Sequence, residues 1–466
     1  MKKHGWIRWA RIAAAALFSA VFAAAFLGFA PAARALRIEF APTLLRCVAS
    51  FTFGALATLF ALLLATWLFG RFYCAVLCPL GIWQDLATWL SRRKGRPERN
   101  HPRIRYFILG FALCALIGWV LPFMVLDPYS NAGRIVAGGF TFGALLPLVL
   151  VTLLALWKKR LYCTTLCPVG TLLGLAGARG LFRLQFTDKC VKCGACVKSC
   201  PAGCIDPAAG TLDNERCVRC LNCLSVCRLG GVEFTARRRR VETPAVAVEP
   251  EAKTVPPDPA RREFIANVFS LIEGAMLGTL FTKAAAIPML VGKMTQEPGT
   301  GLILPPGAGD EARFTMKCTA CQLCTANCPA GIIVPAPGGY GPVRLDLSRG
   351  ACLYDCDKCS AVCPTGALVP LGLEKKRRTK IARAKFDAAH CIVCQELKKC
   401  GKCAAACPAG AIALRGKLGV PKLDIEKCIG CGACQAACPA KPDKAMTVGP
   451  VPFQGTVNES QPTEEV

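Results

Sequence analysis

Apolar positions gather into four long runs in the first third of the chain, near residues 8–29, 48–69, 104–126 and 138–157. A hydrocarbon core of about 30 Å takes roughly 20 helical residues to cross, so each run predicts a membrane-spanning helix. Polar residues decide the orientation. The loop between the second and third runs holds Arg71, Arg92, Arg93, Lys94, Arg96, Arg99, Arg103 and Arg105, and the fourth run ends at Lys158, Lys159 and Arg160. Positive residues stay cytoplasmic, which puts these ends and the N-terminus, with Lys2, Lys3, Arg8 and Arg11, on that side. The loops near 30–46 and 127–137 then face the other side.

The second and fourth runs align without a gap at an offset of 89 residues, Phe51 against Phe140. Phe51-Thr52-Phe53-Gly54-Ala55-Leu56 matches Phe140-Thr141-Phe142-Gly143-Ala144-Leu145, and Arg71, Tyr73, Cys74, Leu77, Cys78, Pro79 and Gly81 match Arg160, Tyr162, Cys163, Leu166, Cys167, Pro168 and Gly170. Identity that continues past the apolar part is not shared composition; it predicts a duplicated helical hairpin with both halves oriented alike. Each half carries one Cys-x3-Cys-Pro motif at the cytoplasmic membrane surface. Cysteines four apart share a helical face, and the following proline suits a helix terminus. Cys74, Cys78, Cys163 and Cys167 are therefore expected to converge as a redox or metal site, against the plainer readings of small apolar helix residues or a disulfide. Lone Cys47 and Cys114 fit the plainer reading.

Composition narrows the chemistry. Of 466 residues 53% are hydrophobic, and mean hydropathy is +0.40. The formal net charge of +27, from 57 Lys and Arg against 30 Asp and Glu, admits either nucleic acid or membrane as partner. The cations flank apolar runs, which favours lipid and no nucleic acid. The three histidines, His4, His101 and His390, lie outside the apolar runs, so no transmembrane haem is expected. No Cys-x-x-Cys-His attachment sequence and no glycine-rich nucleotide loop occurs, so neither c-type haem nor flavin is expected.

The 32 cysteines supply the positive signal. Runs at 190–200 and 217–227 have the C-x2-C-x2-C-x3-C spacing of bacterial ferredoxins, where three cysteines of one run and the last of the other hold each cubane. One cluster takes Cys190, Cys193, Cys196 and Cys227; its partner takes Cys217, Cys220, Cys223 and Cys200, with Cys204 left spare. Four-cysteine zinc sites do not need this pairing of runs. The theme returns twice downstream. Cys318, Cys321, Cys324 and Cys363 form one set and Cys352, Cys356, Cys359 and Cys328 another. Cys391, Cys394, Cys403 and Cys438 form a third, in an expanded run where Cys400 competes with Cys403 and the x3-Cys-Pro spacing favours Cys403. Cys428, Cys431, Cys434 and Cys407 complete the fourth. In all, 24 cysteines serve six [4Fe-4S] clusters.

Between the two cluster regions, Pro, Val and Glu near 241–260 read as an extended linker. Arg261-Arg262-Glu263-Phe264-Ile265 then opens a mild apolar run ending at Lys283 and three alanines, the shape of a twin-arginine export signal placed internally. The competing reading is an amphipathic helix on the membrane surface, favoured by Glu273. The basic stretch at 374–380 reads as a solvated loop.

These motifs resemble two families. The hairpins with paired Cys-x3-Cys-Pro motifs and a following two-cluster ferredoxin resemble the NapH/MauN membrane ferredoxins; the part from Arg261 onward looks like the NapG/MauM exported four-cluster ferredoxins. The resemblance implies a quinol dehydrogenase subunit in a bacterial inner membrane. It would pass electrons from the quinone pool to a periplasmic reductase or multihaem c-type cytochrome, with importance for Cys74, Cys78, Cys163 and Cys167. Two other functions compete: a cytoplasmic conduit into the quinone pool, and a copper- or metal-handling assembly protein. The expected fold is a membrane all-α bundle, a four-helix duplicated hairpin with a candidate fifth span, plus α+β ferredoxin-like 2[4Fe-4S] modules. The boundaries are 1–178 for the helical domain, 179–235 for a cytoplasmic ferredoxin, 236–260 for the linker, 261–290 for the signal or fifth span, 305–450 for a periplasmic four-cluster domain, and 451–466 for a disordered tail. A seventh metal centre at the Cys-x3-Cys-Pro motifs is a further expectation.

Overall fold

A computed structural model describes residues 5–91, 100–113, 121–137, 142–206, 210–236, 259–295, 302–336 and 341–457. Cys114, most of the linker, the end of the tail and the arginines between 92 and 99 lie outside the described residues. The chain divides into two compact units. The first comprises Met1–Phe22, Ile38–Ala132 and Leu145–Lys283; the second comprises Ala23–Arg37, Gly133–Ala144 and Ala284–Val466.

The helical region is more broken than the apolar runs suggest. Helix α1, Gly5–Phe26, is long and apolar enough to cross a membrane. The run at 48–69 is two helices: α2, Phe40–Ser50, and α3, Phe53–Phe69. Phe51 breaks them apart with φ of 44°, a left-handed conformation that costs a non-glycine residue energy. After α3 comes one helical turn at Tyr73–Val76, then α4 at Pro79–Leu90. Helix α5 is Pro102–Leu113. The sequence of elements then recurs: α6 at Pro128–Ala137, α7 at Phe142–Lys158, a π turn at Tyr162–Leu166 and α8 at Pro168–Ala178. At 17 residues each, α3 and α7 are about 26 Å long.

Within the first unit, the segment carrying the first two cysteine runs is closed by a strand pair. Strand β1, Phe182–Phe186, pairs antiparallel with β2, Val232–Ala236, so the ends of the domain meet while both cysteine runs lie between them. Phe182 stacks on Phe69 at the end of α3, with centroids 5.7 Å apart. Helix α9, Pro259–Thr295, extends for 37 residues, and its stretch 261–280 passes the same length and apolarity test as α1. It meets α5 at paired glycines. A Cβ on Gly110 would collide with the Leu271 carbonyl and one on Gly274 with the Phe107 carbonyl, so the backbones touch directly.

In the second unit, β3, Arg383–Phe386, pairs with β4, Met446–Gly449, around the last two cysteine runs. A core of Leu304, Phe314, Ile332, Val343, Leu345, Leu347, Leu368 and Ile381 supports the first two. Residues from the loops between helices pack in the same unit. Asn327 Nδ2 donates to the Ala25 carbonyl at 2.9 Å, and Arg37 Nη2 donates to the Ala361 carbonyl at 2.7 Å. A side chain on Gly133 would meet the Cys321 carbonyl.

Candidate iron–sulfur and thiol sites

The ferredoxin loops share a backbone signature. In four runs the residue before the second cysteine and the residue after it both have positive φ: Lys192 and Gly194, Arg219 and Leu221, Ala320 and Gln322, Gly430 and Gly432. Five of these eight are not glycine, and strain of that kind persists where the surroundings impose it. The alternation turns successive N–H groups inward, a concavity suited to an anion such as a thiolate-ligated cluster. The two runs that depart in spacing, 352–363 and 391–407, also lack the paired pattern.

The sets expected from spacing come together around cavities. Cys200, Cys217, Cys220 and Cys223 line one; Cys328, Cys352, Cys356 and Cys359 line a second; Cys407, Cys428, Cys431 and Cys434 line a third. Cys391, Cys403 and Cys438 share a fourth with Cys400, while Cys394 does not line it but packs against Cys391, Val393 and Ala445. Cys318, Cys321, Cys324 and Cys363 lie within mutual electrostatic reach. Cys190 and Cys227 meet across Gly231, whose N–H donates to Cys227 Sγ at 3.1 Å. The same N–H···S contact recurs from Leu368 to Cys363 and from Ala411 to Cys407. Cys204 is not remote: its sulfur is 3.5 Å from Cys200 Sγ, in the first cavity. None of the described cysteines forms a disulfide.

The Cys-x3-Cys-Pro motifs differ from the helical-face expectation. Each first cysteine lies in a tight turn, and each second cysteine is the extended N-cap of a new helix with proline at its start. Cys78 N donates to Tyr73 O at 3.0 Å and Cys167 N to Tyr162 O at 2.8 Å, so both turns close over five residues. The four sulfurs are buried in one neighbourhood. Two guanidiniums cross between the repeats. Arg71 Nη2 donates to Cys163 O and Arg160 Nη1 to Cys74 O, each at 2.7 Å. The repeated glycines follow from this geometry, since a side chain on Gly81 would collide with Cys74 O and one on Gly170 with Cys163 O. Donors also reach the sulfurs: Gln84 Nε2 to Cys163 Sγ at 3.1 Å, Gly170 N to Cys167 Sγ at 3.3 Å, and Arg71 Nη2 to Cys74 Sγ at 3.9 Å.

Acidic partners surround the site that spacing did not reveal. Asp85 accepts from Arg160 Nη2 at 2.6 Å and from Arg11 Nη1 at 3.1 Å. Burial alone would raise the Asp85 carboxyl, but the two cations outweigh it and hold it below the usual range. Glu215 of the ferredoxin accepts from Arg105 Nη2 at 2.7 Å. Glu39, wholly buried at the start of α2, accepts from the Tyr73 hydroxyl, and burial pushes its carboxyl up to about 8. Its pseudo-symmetric counterpart is a backbone group, the Leu126 carbonyl, which accepts from Tyr162 at 2.6 Å. Arg71, Tyr73, Arg160 and Tyr162 are matched positions of the repeat; Glu39, Gln84 and Asp85 carry no such mark, because only one repeat has each.

Comparison with known proteins finds 4Fe-4S families along the chain. The 4Fe-4S binding domain family matches twice, at 51–97 and 140–185, and a further 4Fe-4S binding domain matches at 186–206. Two 4Fe-4S dicluster domains match at 317–368 and 398–441. The chain carries several 4Fe-4S ferredoxin domains. It is 37% identical over 141 residues to the methylamine utilization ferredoxin-type protein MauN of Paracoccus denitrificans, covering 28% of this chain and 48% of that protein. It is 37% identical over 140 residues to the ferredoxin-type protein NapH of Escherichia coli, covering 28% and 47%. The putative electron transport protein YccM of Escherichia coli is 26% identical over 167 residues, covering 32% and 46%. The chain thus spans about half the length of these curated relatives. No solved structure matches.

Proposed function

We propose that the chain is a multi-pass membrane protein that oxidises quinol at its helical half and passes single electrons through six [4Fe-4S] clusters to a periplasmic reductase or multihaem cytochrome. The names of its relatives, ferredoxin-type and electron-transport proteins, support iron–sulfur electron transfer. The ligand sets proposed are those read from spacing, with Cys400 kept beside Cys403 and Cys394 in the expanded run.

One observation carries the sidedness. Residues 23–37 and 133–144 belong to the same compact unit as 284–466, and charge distribution favours the non-cytoplasmic side for the connections after the first and third runs, from which Glu39 and Leu126 turn back in to Tyr73 and Tyr162. The course of α9 supports the same reading. It begins with Arg261 and Arg262, its Glu263 lies within electrostatic reach of Tyr106 in the first unit, and from Ala284 it is counted with the second. A twin-arginine helix retained as a fifth span fits both facts.

Protease protection in oriented vesicles tests this. Residues 310–450 are expected to be digested only from the periplasmic face. Digestion from the cytoplasmic face would instead support a cytoplasmic conduit exchanging electrons with the quinone pool.

A further inference from the structure

The two segments matched at 51–97 and 140–185 hold only two motif cysteines each, Cys74 with Cys78 and Cys163 with Cys167, whereas a thiolate-ligated cubane takes four. The fold answers the shortfall by burying both pairs together. Among the described residues no three Cys, His, Asp or Glu groups converge to the spacing of a single metal ion. That holds for the cysteine-lined pockets of the other runs too.

Charge gives a second, independent pointer. Arg71 is fully buried, and no carboxylate stands within ion-pair distance of it among the described residues. Its guanidinium meets the carbonyls of Cys163 and Glu215 and the sulfur of Cys74, and its Nε has no partner. A buried cation without an anion is costly. Arg160, by contrast, has Asp85. Four neutral thiols would leave Arg71 uncompensated. Four thiolates on an iron–sulfur core carry a net charge on the order of two negative units, set among N–H donors aimed at sulfur, as in ferredoxins.

We propose that Cys74, Cys78, Cys163 and Cys167 together hold one iron–sulfur centre, two ligands from each repeat, with Arg71 as its buried counter-cation. This rests on the electron-conduit reading above and names a further cofactor for it. Binding exchanges the four thiol protons for iron, and the protons leave to solvent. The centre lies beside a ferredoxin cubane: Arg160 is within electrostatic reach of both Cys163 and Cys220, and Asp85 of Cys220.

The test is iron and acid-labile sulfide per chain, with EPR of the reduced state, on full-length protein purified without oxygen. Six cubanes account for about 24 irons, and an excess of about two or four is expected. Cys74→Ser and Cys163→Ser are each expected to abolish the same EPR signal, and the double variant to lose no more iron than either alone. Cys217→Ser should remove a different signal. Arg71→Gln, but not Arg71→Lys, should move the midpoint potential of the Cys74-dependent signal downward. Wild-type iron equal to that of folded Cys74→Ser overturns the proposal, as does copper or zinc bound in place of iron. Additive losses in the double variant would mean two centres and overturn the shared site. If the Cys217-dependent signal is itself absent from wild type, the electron-conduit reading fails instead. Variants that misfold lose the ferredoxin signals as well, and the wild-type iron count then decides alone.

Discussion

Asp85 shows what a single carboxylate does in a buried cationic setting. Two arginines converge on it, Arg160 with no solvent exposure and Arg11 largely buried. Asp85→Asn leaves both without a counter-charge. It is expected to cost about 3 kcal/mol, the low end for breaking a buried pair, because Asp85 itself is 29% exposed. Thermal unfolding in detergent measures it, and an unchanged midpoint would show the triad contributes nothing net. Glu39 predicts a dependence on pH. Its carboxyl ionises near 8 when folded and near 4.5 when unfolded, so between those values the folded chain holds the extra proton. Stability therefore falls as pH rises through that window. Glu39→Gln should flatten this part of the profile, and an unaltered slope would mean Glu39 is not its source. In the expanded run, serine replacements at Cys394, Cys400 and Cys403, followed by EPR, will separate ligands from bystanders. Cys403→Ser is expected to lose a cluster.

At the scale of elements, the cysteine loops were legible because each is a short run of fixed spacing, and four of the six share the same pair of positive-φ residues around the second cysteine. The repeat was legible because matching residues stand at a fixed offset. The helical breaks were not. The run at 48–69 reads as one span, yet Phe51 adopts a left-handed turn that no glycine or proline announces, and α2 begins at Phe40, where hydropathy windows see only a loop. The motif cysteines were misjudged for a related reason: a five-residue turn looks like i, i+4 spacing but ends the helix between them. Nonlocal pairs such as Arg71 with the Cys163 carbonyl, or Asn327 with Ala25, leave no trace in a linear pattern. The α5–α9 crossing gives a test at this scale. Gly274→Leu forces a side chain into the Phe107 carbonyl and is expected to cost about 3 kcal/mol. Loss of protease resistance around 259–280 reads it out, and an unaffected variant would place α9 away from α5.

For the molecule as a whole, charge, cofactors and connectivity tell one story. Basic residues flank the apolar runs in the sequence, 4Fe-4S domains follow in series, and one 37-residue helix runs from the first unit into the second. That helix has a consequence for biogenesis. On the topology proposed above, α9 is a span seated glycine-to-glycine against α5, so α5 has to be in place when α9 arrives, and the domain beyond it would need its iron before export. Assembly on the proposed topology is therefore ordered: the first hairpins insert, the distal domain is loaded, and the latch between α5 and α9 closes last.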